Sequence, residues 1–325
     1  MINYLLACLP SFLHVTIRRF LGASIQKGVK IKLGTIIRTK QLNIGSDTSL
    51  GPFCYLSGDI ISIDKDSTIK PLTIVSAKEI LIGKCVHIAP LAYIGGDHTN
   101  RSFFKIGDHS RVFPFCWLDT GEGIRIGKHV GIGGHTLIFT HGVWSDFLDG
   151  GPISYAGVEI EDYVWLPWRV FIMPGTKIGA KSIIGANSLV SKSIPENVVA
   201  AGSPAKVLKE NVISNLQQDE KILRVKKILE DYAEYSTDRW DLITDGLESN
   251  SCLIKLLIGE TKPEKDCLYF LTQADTVAMT QMRKNKASFI SHLDKTFYYS
   301  RSIPEFEKFV QFLRRYGIRL YQVKY

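Results

Sequence analysis

VEIEDYVWLPWRVFIMPGTKIGAKSIIGANSLV, residues 158 to 190, carries an aliphatic side chain at Ile160, Leu166, Ile172, Ile178, Ile184 and Val190, one every six positions. A helix of 3.6 residues per turn does not produce that period, and neither does simple strand alternation. Working back along the chain, the same spacing recurs in Ile126, Ile132 and Ile138, in Ile106, Val112 and Leu118, and in Ile82, Ile88 and Ile94. Less regular copies are Ile63, Ile69 and Val75, then Ile44, Leu50 and Leu56. Four positions after most of these anchors comes a small or β-branched residue, such as Ala92, Cys116, Val130, Thr136, Val170 or Ser188, so both positions are read as facing inward. A glycine or other turn former often follows the anchor, where the chain must bend. Each hexapeptide reads as one short strand and a corner. Three of them close a coil of about 18 residues, and coils stack at the strand spacing of about 4.8 Å.

The 325 residues include 45% hydrophobic residues, enough for a sizeable core and more than one domain. Six scattered cysteines show no paired spacing, so neither a disulfide framework nor a CxxC zinc site is indicated, and a reducing cytoplasm is the default. The net charge of +8 is unevenly spread: residues 1 to 40 hold seven Lys or Arg and no acid. The remainder is then close to neutral, which argues against a nucleic-acid surface. The N-terminal MINYLLACLPSFLHVTIRRFLG has no basic region ahead of its apolar run, and Asn3, Pro10, Ser11 and His14 interrupt a membrane span. It reads as an amphipathic helix. Residues 1–32 could lie on an anionic membrane surface, or the helix could cover the end of the following coil.

His129, His135 and His141 follow successive anchors by three residues. They therefore belong to different sides of the coil and cannot converge within one chain. A single-chain three-histidine metal site is disfavoured and no metal is expected, the alternative being a metal shared between chains. The repeat is interrupted at one recurring corner, in residues 95–105, 119–125 and 139–157, and only His141 stands at the base of the longest excursion. Long loops on a rigid scaffold commonly house chemistry. An imidazole suits removal of a hydroxyl proton near neutral pH. Asp119 stacks beneath that corner and could orient the ring, with Asp146 as a rival.

These repeats, over residues 44 to about 209, resemble the left-handed parallel β-helix of the hexapeptide-repeat acyltransferases. Thr140-His141 and the segment 158–209 resemble the sugar and polysaccharide O-acetyltransferase branch, which includes galactoside and maltose enzymes. The resemblance implies an acetyl-CoA-dependent O-acetyltransferase acting on a sugar or glycan of capsule or lipopolysaccharide type. Transfer would be direct, with His141 as general base, in a homotrimer whose donor groove lies between neighbouring β-helices. It further implies donor contacts at Gly133, Trp165, Trp168, Ala186, Ser191, Lys192, Lys206 and Lys209, the lysines meeting an anionic tail. Asp97, His98 and Trp144 are the candidate acceptor contacts, against the plainer reading of solvated loop residues.

The sequence departs from the family's VWIGxxV at Pro167 and Trp168, and Phe113 stands where galactoside enzymes have an acceptor-binding asparagine. The alternatives are N-acylation of an amino sugar and a non-catalytic β-helical scaffold. Beyond 209 the period stops. Residues 211–236 read as an amphipathic helix, CLYFLT, KASFISHL and IRLYQV as strands, and PEFEKFVQFLRRYG as a helix. The expected organisation is an N-terminal helix and lead-in (1–40), a β-helix (41–209) and a small C-terminal α/β domain (210–325).

Overall fold

The computed structural model describes residues 2–143, 145–214, 216–235, 240–243, 253–258, 267–271, 288–291, 296–298, 304–318 and 320–322. The chain is mainly β and divides into two units, Met1–Ser214 and Asn215–Tyr325. The first is a three-sided solenoid of about nine turns whose sides are sheets of eight, ten and eight strands. The first sheet runs from Ser24–Ile25 to Lys177–Ile178, the second from Lys30–Ile31 to Ala205–Glu210, and the third from Ile36–Arg38 to Leu189–Val190. Neighbouring strands along each side are parallel, except for the closing hairpin of Val198–Gly202 with Ala205–Glu210. The period of six translates directly into register: Ile94 pairs with Leu118, Leu118 with Ile138, and Ile138 with Ile172.

Both predicted inward positions are buried, the anchors and the small residues alike. At Ser110 and Ser182 the small residue carries a hydroxyl that satisfies the coil above. Ser110 Oγ donates to Gly127 O at 2.8 Å and accepts Val130 N at 2.9 Å. Cys54 and Cys116 sit in the same rows, and burial pushes the Cys116 thiol up to about 12.

The three outward faces differ in chemistry. The third sheet presents Tyr55, Ile74, Tyr93, Trp117, Leu137 and Phe171 in one paired row, whereas the first presents Asn43, Ser62, Leu81, Lys105, Arg125 and Glu159. Trp117 remains 48% exposed. The apolar row continues onto the corner between the second and third sheets, where Phe53, Leu72, Leu91 and Phe115 are all exposed in the left-handed backbone region.

The solenoid begins earlier than the sequence reading placed it, inside the segment 1–40. Ile25, Ile31 and Ile37 form a first coil, also six residues apart, whose outward lysines hide it from a hydropathy scan. Instead of one N-terminal helix there are two, Ile2–Ala7 and Ser11–Phe20, separated at Pro10, which cannot donate to a continuing helix. They cover the end of the first coil with Leu6, Ala7, His14, Val15 and Arg18. The buried Arg18 guanidinium donates to His14 Nε2 at 2.8 Å, to Asn3 Oδ1 at 3.2 Å and to Ile37 O at 2.9 Å.

Burial, helped by Arg18, lowers His14 to about 4 from an ordinary 6.5. Between these values the unfolded chain binds a proton that the folded chain refuses. Stability is therefore complete above pH 6.5 and falls by up to about 3 kcal/mol as pH drops towards 4. His87 shifts in the same direction, so a variant must isolate His14. The melting temperature of wild type is expected to fall more between pH 7 and 5 than that of His14→Gln, which keeps an acceptor for Arg18. Equal falls would contradict this role.

Helix Gln218–Tyr235 of the second unit starts later than read from sequence, because Val212 and Ile213 are still hydrogen-bonded to Asn197 of the solenoid. Val225, Ile228 and Leu229 are buried, but Leu223 and, ahead of the helix, Ile213 are exposed. The helix and Pro304–Phe312 contribute Tyr232, Phe306, Phe309 and Phe312 to one cluster. The strands Cys267–Leu271, Ser288–Ser291 and Tyr321–Gln322 fall where the sequence suggested, and Trp240–Ile243, Leu253–Ile258 and Thr296–Tyr298 join them in a mixed six-stranded sheet.

Candidate active site

The three histidines occupy three different corners. His129 lies between first-sheet and second-sheet strands, in a column of rings with His109 and Tyr163 whose centroids are 4.9 Å apart at each step. His135 lies between the second and third sheets, stacked on Phe115 at 5.0 Å and tilted against Trp168 at 5.8 Å. Both adopt positive φ, a conformation that histidine tolerates better than most residues. Among the described residues, no three side chains converge as a metal site would require.

His141 stands on the corner between the third and first sheets, where the solenoid's three long loops emerge. The anchor pairing of Leu118 with Ile138 brings Asp119 beneath the start of the 139–157 loop, and His141 Nδ1 lies 2.7 Å from Asp119 Oδ2. The same oxygen accepts Thr140 N at 3.0 Å and Thr140 Oγ1 at 2.7 Å, while Oδ1 accepts Gly121 N at 3.1 Å. The Asp119 side chain is 4% exposed and that of His141 44%. Burial alone would raise the Asp119 carboxyl, but the hydrogen bonds from Thr140, Gly121 and His141 outweigh it and hold the group below the usual carboxylate range. The result is a buried, ionised carboxylate fixed on one side of a half-exposed imidazole. Asp146, the rival, has Oδ1 accepting Leu148 N within its own loop.

Support extends two coils down. A Cβ at Gly96 would collide with Asp119 Oδ1, so only glycine lets this loop cross the carboxylate. Thr140 Oγ1 accepts Glu122 N at 3.1 Å, and the buried Glu122 carboxylate takes Arg101 Nε at 2.7 Å and Nη2 at 3.1 Å. Sequence reasoning missed Arg101 and Glu122. Their signal was the polar run Asp119-Thr120-Gly121-Glu122, which sits entirely in the interior. Tyr155 pairs with His141 across a short hairpin, its ring parallel to the imidazole at 6.2 Å. Asp97 and His98 are exposed on the same corner, His98 Nε2 lying 2.7 Å from Ser76 Oγ. Trp144 lies outside the described residues.

The residues read as donor contacts separate into groups. Gly133, Trp168 and Ala186 form a column on the second-third corner, linked coil to coil by Arg169 N to Gly134 O and Asn187 N to Trp168 O. A Cβ on Gly133 would strike the Pro167 backbone, so close stacking of coils explains that glycine. The Trp165 and Trp168 rings fold back over Gly131 and Gly134 of the coil below. Ser191 and Lys192 are exposed beyond the third-sheet strand Leu189–Val190, and Lys206 and Lys209 on the closing hairpin. Within one chain this column and His141 therefore lie on opposite edges of the apolar third sheet.

Three known proteins similar to this chain are named for O-acetyl transfer. A galactoside O-acetyltransferase of Lactococcus lactis is 45% identical over 86 residues, 26% of this chain and 42% of the relative. Another, from Escherichia coli K12, is 33% identical over 130 residues, 33% of this chain and 64% of the relative. The solenoid is similar to galactoside O-acetyltransferases over part of their length. A third relative, an E. coli K12 protein named for O-acetyl transfer in lipopolysaccharide biosynthesis, is 34% identical over 122 residues, 34% of this chain and 62% of the relative. This hexapeptide-repeat chain thus spans less than two thirds of each relative's length, and no protein-family model matches it.

Proposed function

We propose that the chain is an acetyl-CoA-dependent O-acetyltransferase of a sugar or polysaccharide, with His141 as general base and Asp119 as its positioning residue. The observation that carries this reading is the 2.7 Å contact between His141 Nδ1 and a buried carboxylate that already accepts three other hydrogen bonds. With Nδ1–H donated to Asp119, Nε2 is left as the proton acceptor. Nε2 removes the acceptor hydroxyl's proton as that oxygen attacks the thioester carbonyl carbon. The resulting imidazolium, paired with Asp119, returns the proton to the coenzyme A sulfur as the C–S bond breaks. An amine attacks thioesters without such help, so the pair favours a hydroxyl acceptor over an amino sugar. Lys192, Lys206 and Lys209 supply cations for the donor's phosphates. Asp97 and His98 line the corner along which an extended glycan would run, and the donor's origin argues for the cytoplasmic side of the membrane.

The reading includes a trimer of coils wound left-handed, as the family resemblance implies. The apolar third sheet turned towards a threefold axis would set each chain's His141 corner against the neighbour's Gly133–Trp168–Ala186 column, a head-to-tail contact that closes after three copies. Exposed apolar area of this extent on a β face otherwise invites uncontrolled association. Calorimetric titration with acetyl-CoA, run beside sedimentation velocity, tests both parts. Wild type is expected to bind saturably in the micromolar range as a trimer, and Trp117→Lys to lose both properties. No saturable binding by wild type would put the scaffold reading first, and a Trp117→Lys protein of unchanged mass would remove that face from the interface.

A further inference from the structure

We infer that the N-terminal helix pair is a two-sided element, capping the solenoid with one face and docking the protein on an anionic lipid bilayer with the other. In Ser11–Phe20, the residues turned to the coil are His14, Val15 and Arg18, whereas Phe12, Leu13 and Phe20 lie on the opposite side of the helix. Phe12 is 68% exposed and Phe20 86%. Tyr4 and Leu5 of the preceding helix and Leu21 after Phe20 are exposed with them. A helix needed only as a cap has no use for large apolar side chains on its outer face.

The surrounding charge selects the partner. Arg19, Lys27, Lys30 and Lys32 are exposed around this patch, and no acidic residue precedes Asp47. Arg19 spends its donors on the carbonyls of Ile25 and Gln26, which leaves its charge uncompensated, while Lys40 is excluded because Asp59 pairs with it at 3.0 Å. Apolar side chains ringed by cations match a bilayer with anionic headgroups. Two copies meeting through this patch would instead bring like charges together. The patch also lies at the end of the solenoid, so side-by-side copies would present all their caps in one direction and bind a plane multivalently.

No helix among the described residues is long and apolar enough to cross a membrane, so the contact is a surface one. If the proposed function holds, the geometry also bounds the acceptor. Five strand steps separate Ile37, in the capped coil, from Ile138 at the base of the His141 loop, a rise of about 24 Å. The helix layer adds about 10 Å, so the hydroxyl to be modified would stand about 30 Å or more from the bilayer, on a lipid-linked glycan several sugars long.

The test uses the full chain and needs neither donor nor acceptor, so its outcome is independent of the enzymatic reading. Vesicles of phosphatidylcholine with phosphatidylglycerol, and of phosphatidylcholine alone, are sedimented with wild type, with Phe12→Ser/Phe20→Ser and with Lys27→Glu/Lys30→Glu/Lys32→Glu. Thermal melts and sedimentation velocity establish that each variant keeps its fold and mass. Wild type is expected to partition onto the anionic vesicles at least tenfold more than onto neutral ones, and both variants to lose at least tenfold of that binding. The inference is overturned if wild type stays in solution, if it binds both vesicle types equally, or if the folded variants bind as wild type does. A change in mass caused by the phenylalanine substitutions would equally overturn it, by making the patch a contact between copies.

Discussion

His141→Ala is expected to slow acetyl transfer by about 10²- to 10⁴-fold, the range in which a positioned general base contributes to such reactions. The imidazole is 44% exposed and none of the nine turns rests on it, so melting temperature and oligomeric mass should stay within error of wild type. Acetyl-CoA affinity should change little, because in the proposed trimer the imidazole meets only the reacting end of the donor, while the neighbour's column and the lysines hold its arm and phosphates. The loss should therefore appear in kcat and not in donor binding. Turnover at the wild-type rate by a pure, folded His141→Ala protein would take the chemistry away from this corner.

Asp119→Asn should be nearly as damaging to activity and also costly to the fold. Every partner of this carboxylate is a donor: Thr140 N, Thr140 Oγ1, Gly121 N and His141 Nδ1. An amide must direct its NH₂ group at one side of that cage, where donor meets donor. Turned towards Thr140 and His141 it releases the imidazole, and turned towards Gly121 it leaves a buried backbone N–H unmatched. A buried group left without its partner costs about 1–3 kcal/mol. We expect kcat to fall by about 10²-fold or more, because the imidazole loses its fixed orientation. A melting temperature several degrees lower should accompany it. Because the carboxyl is held below its ordinary pKa, the stability it contributes is present above the unfolded value and is lost on acidification through the folded one. Asp119→Asn should flatten that acid limb. An unchanged acid limb together with wild-type kcat would remove Asp119 from the site.

The meeting of Asp119 with His141 was legible in the primary structure because a solenoid turns sequence spacing into height. Once Leu118 and Ile138 are recognised as equivalent anchors, the residues just after them must lie on one corner of consecutive coils. The same arithmetic separates His129 and His135 from it. What remained hidden depends on loop conformation. Arg101 reaches Glu122 only because the 95–102 excursion folds back along the corner, and no period encodes that path. The first coil was missed although Ile25, Ile31 and Ile37 keep the spacing, since Lys27, Lys30 and Lys32 between them give the segment the look of a basic lead-in. Pro10 divides the leading helix where hydropathy alone suggested a single one. In Asn215–Tyr325, short apolar runs announced some strands but not their neighbours Trp240–Ile243 and Leu253–Ile258, because a mixed sheet imposes no common interval.

The three loop excursions share one corner, yet the ladder from Ile94 through Leu118 and Ile138 to Ile172 passes them without a slip in register. Length gained or lost there leaves every anchor row intact, since each coil touches only the coils above and below it. On the proposed function, such a chain can exchange the part that chooses its acceptor while inheriting unchanged the part that holds its shape. Descendants of one scaffold would then diverge in taste long before they diverge in architecture.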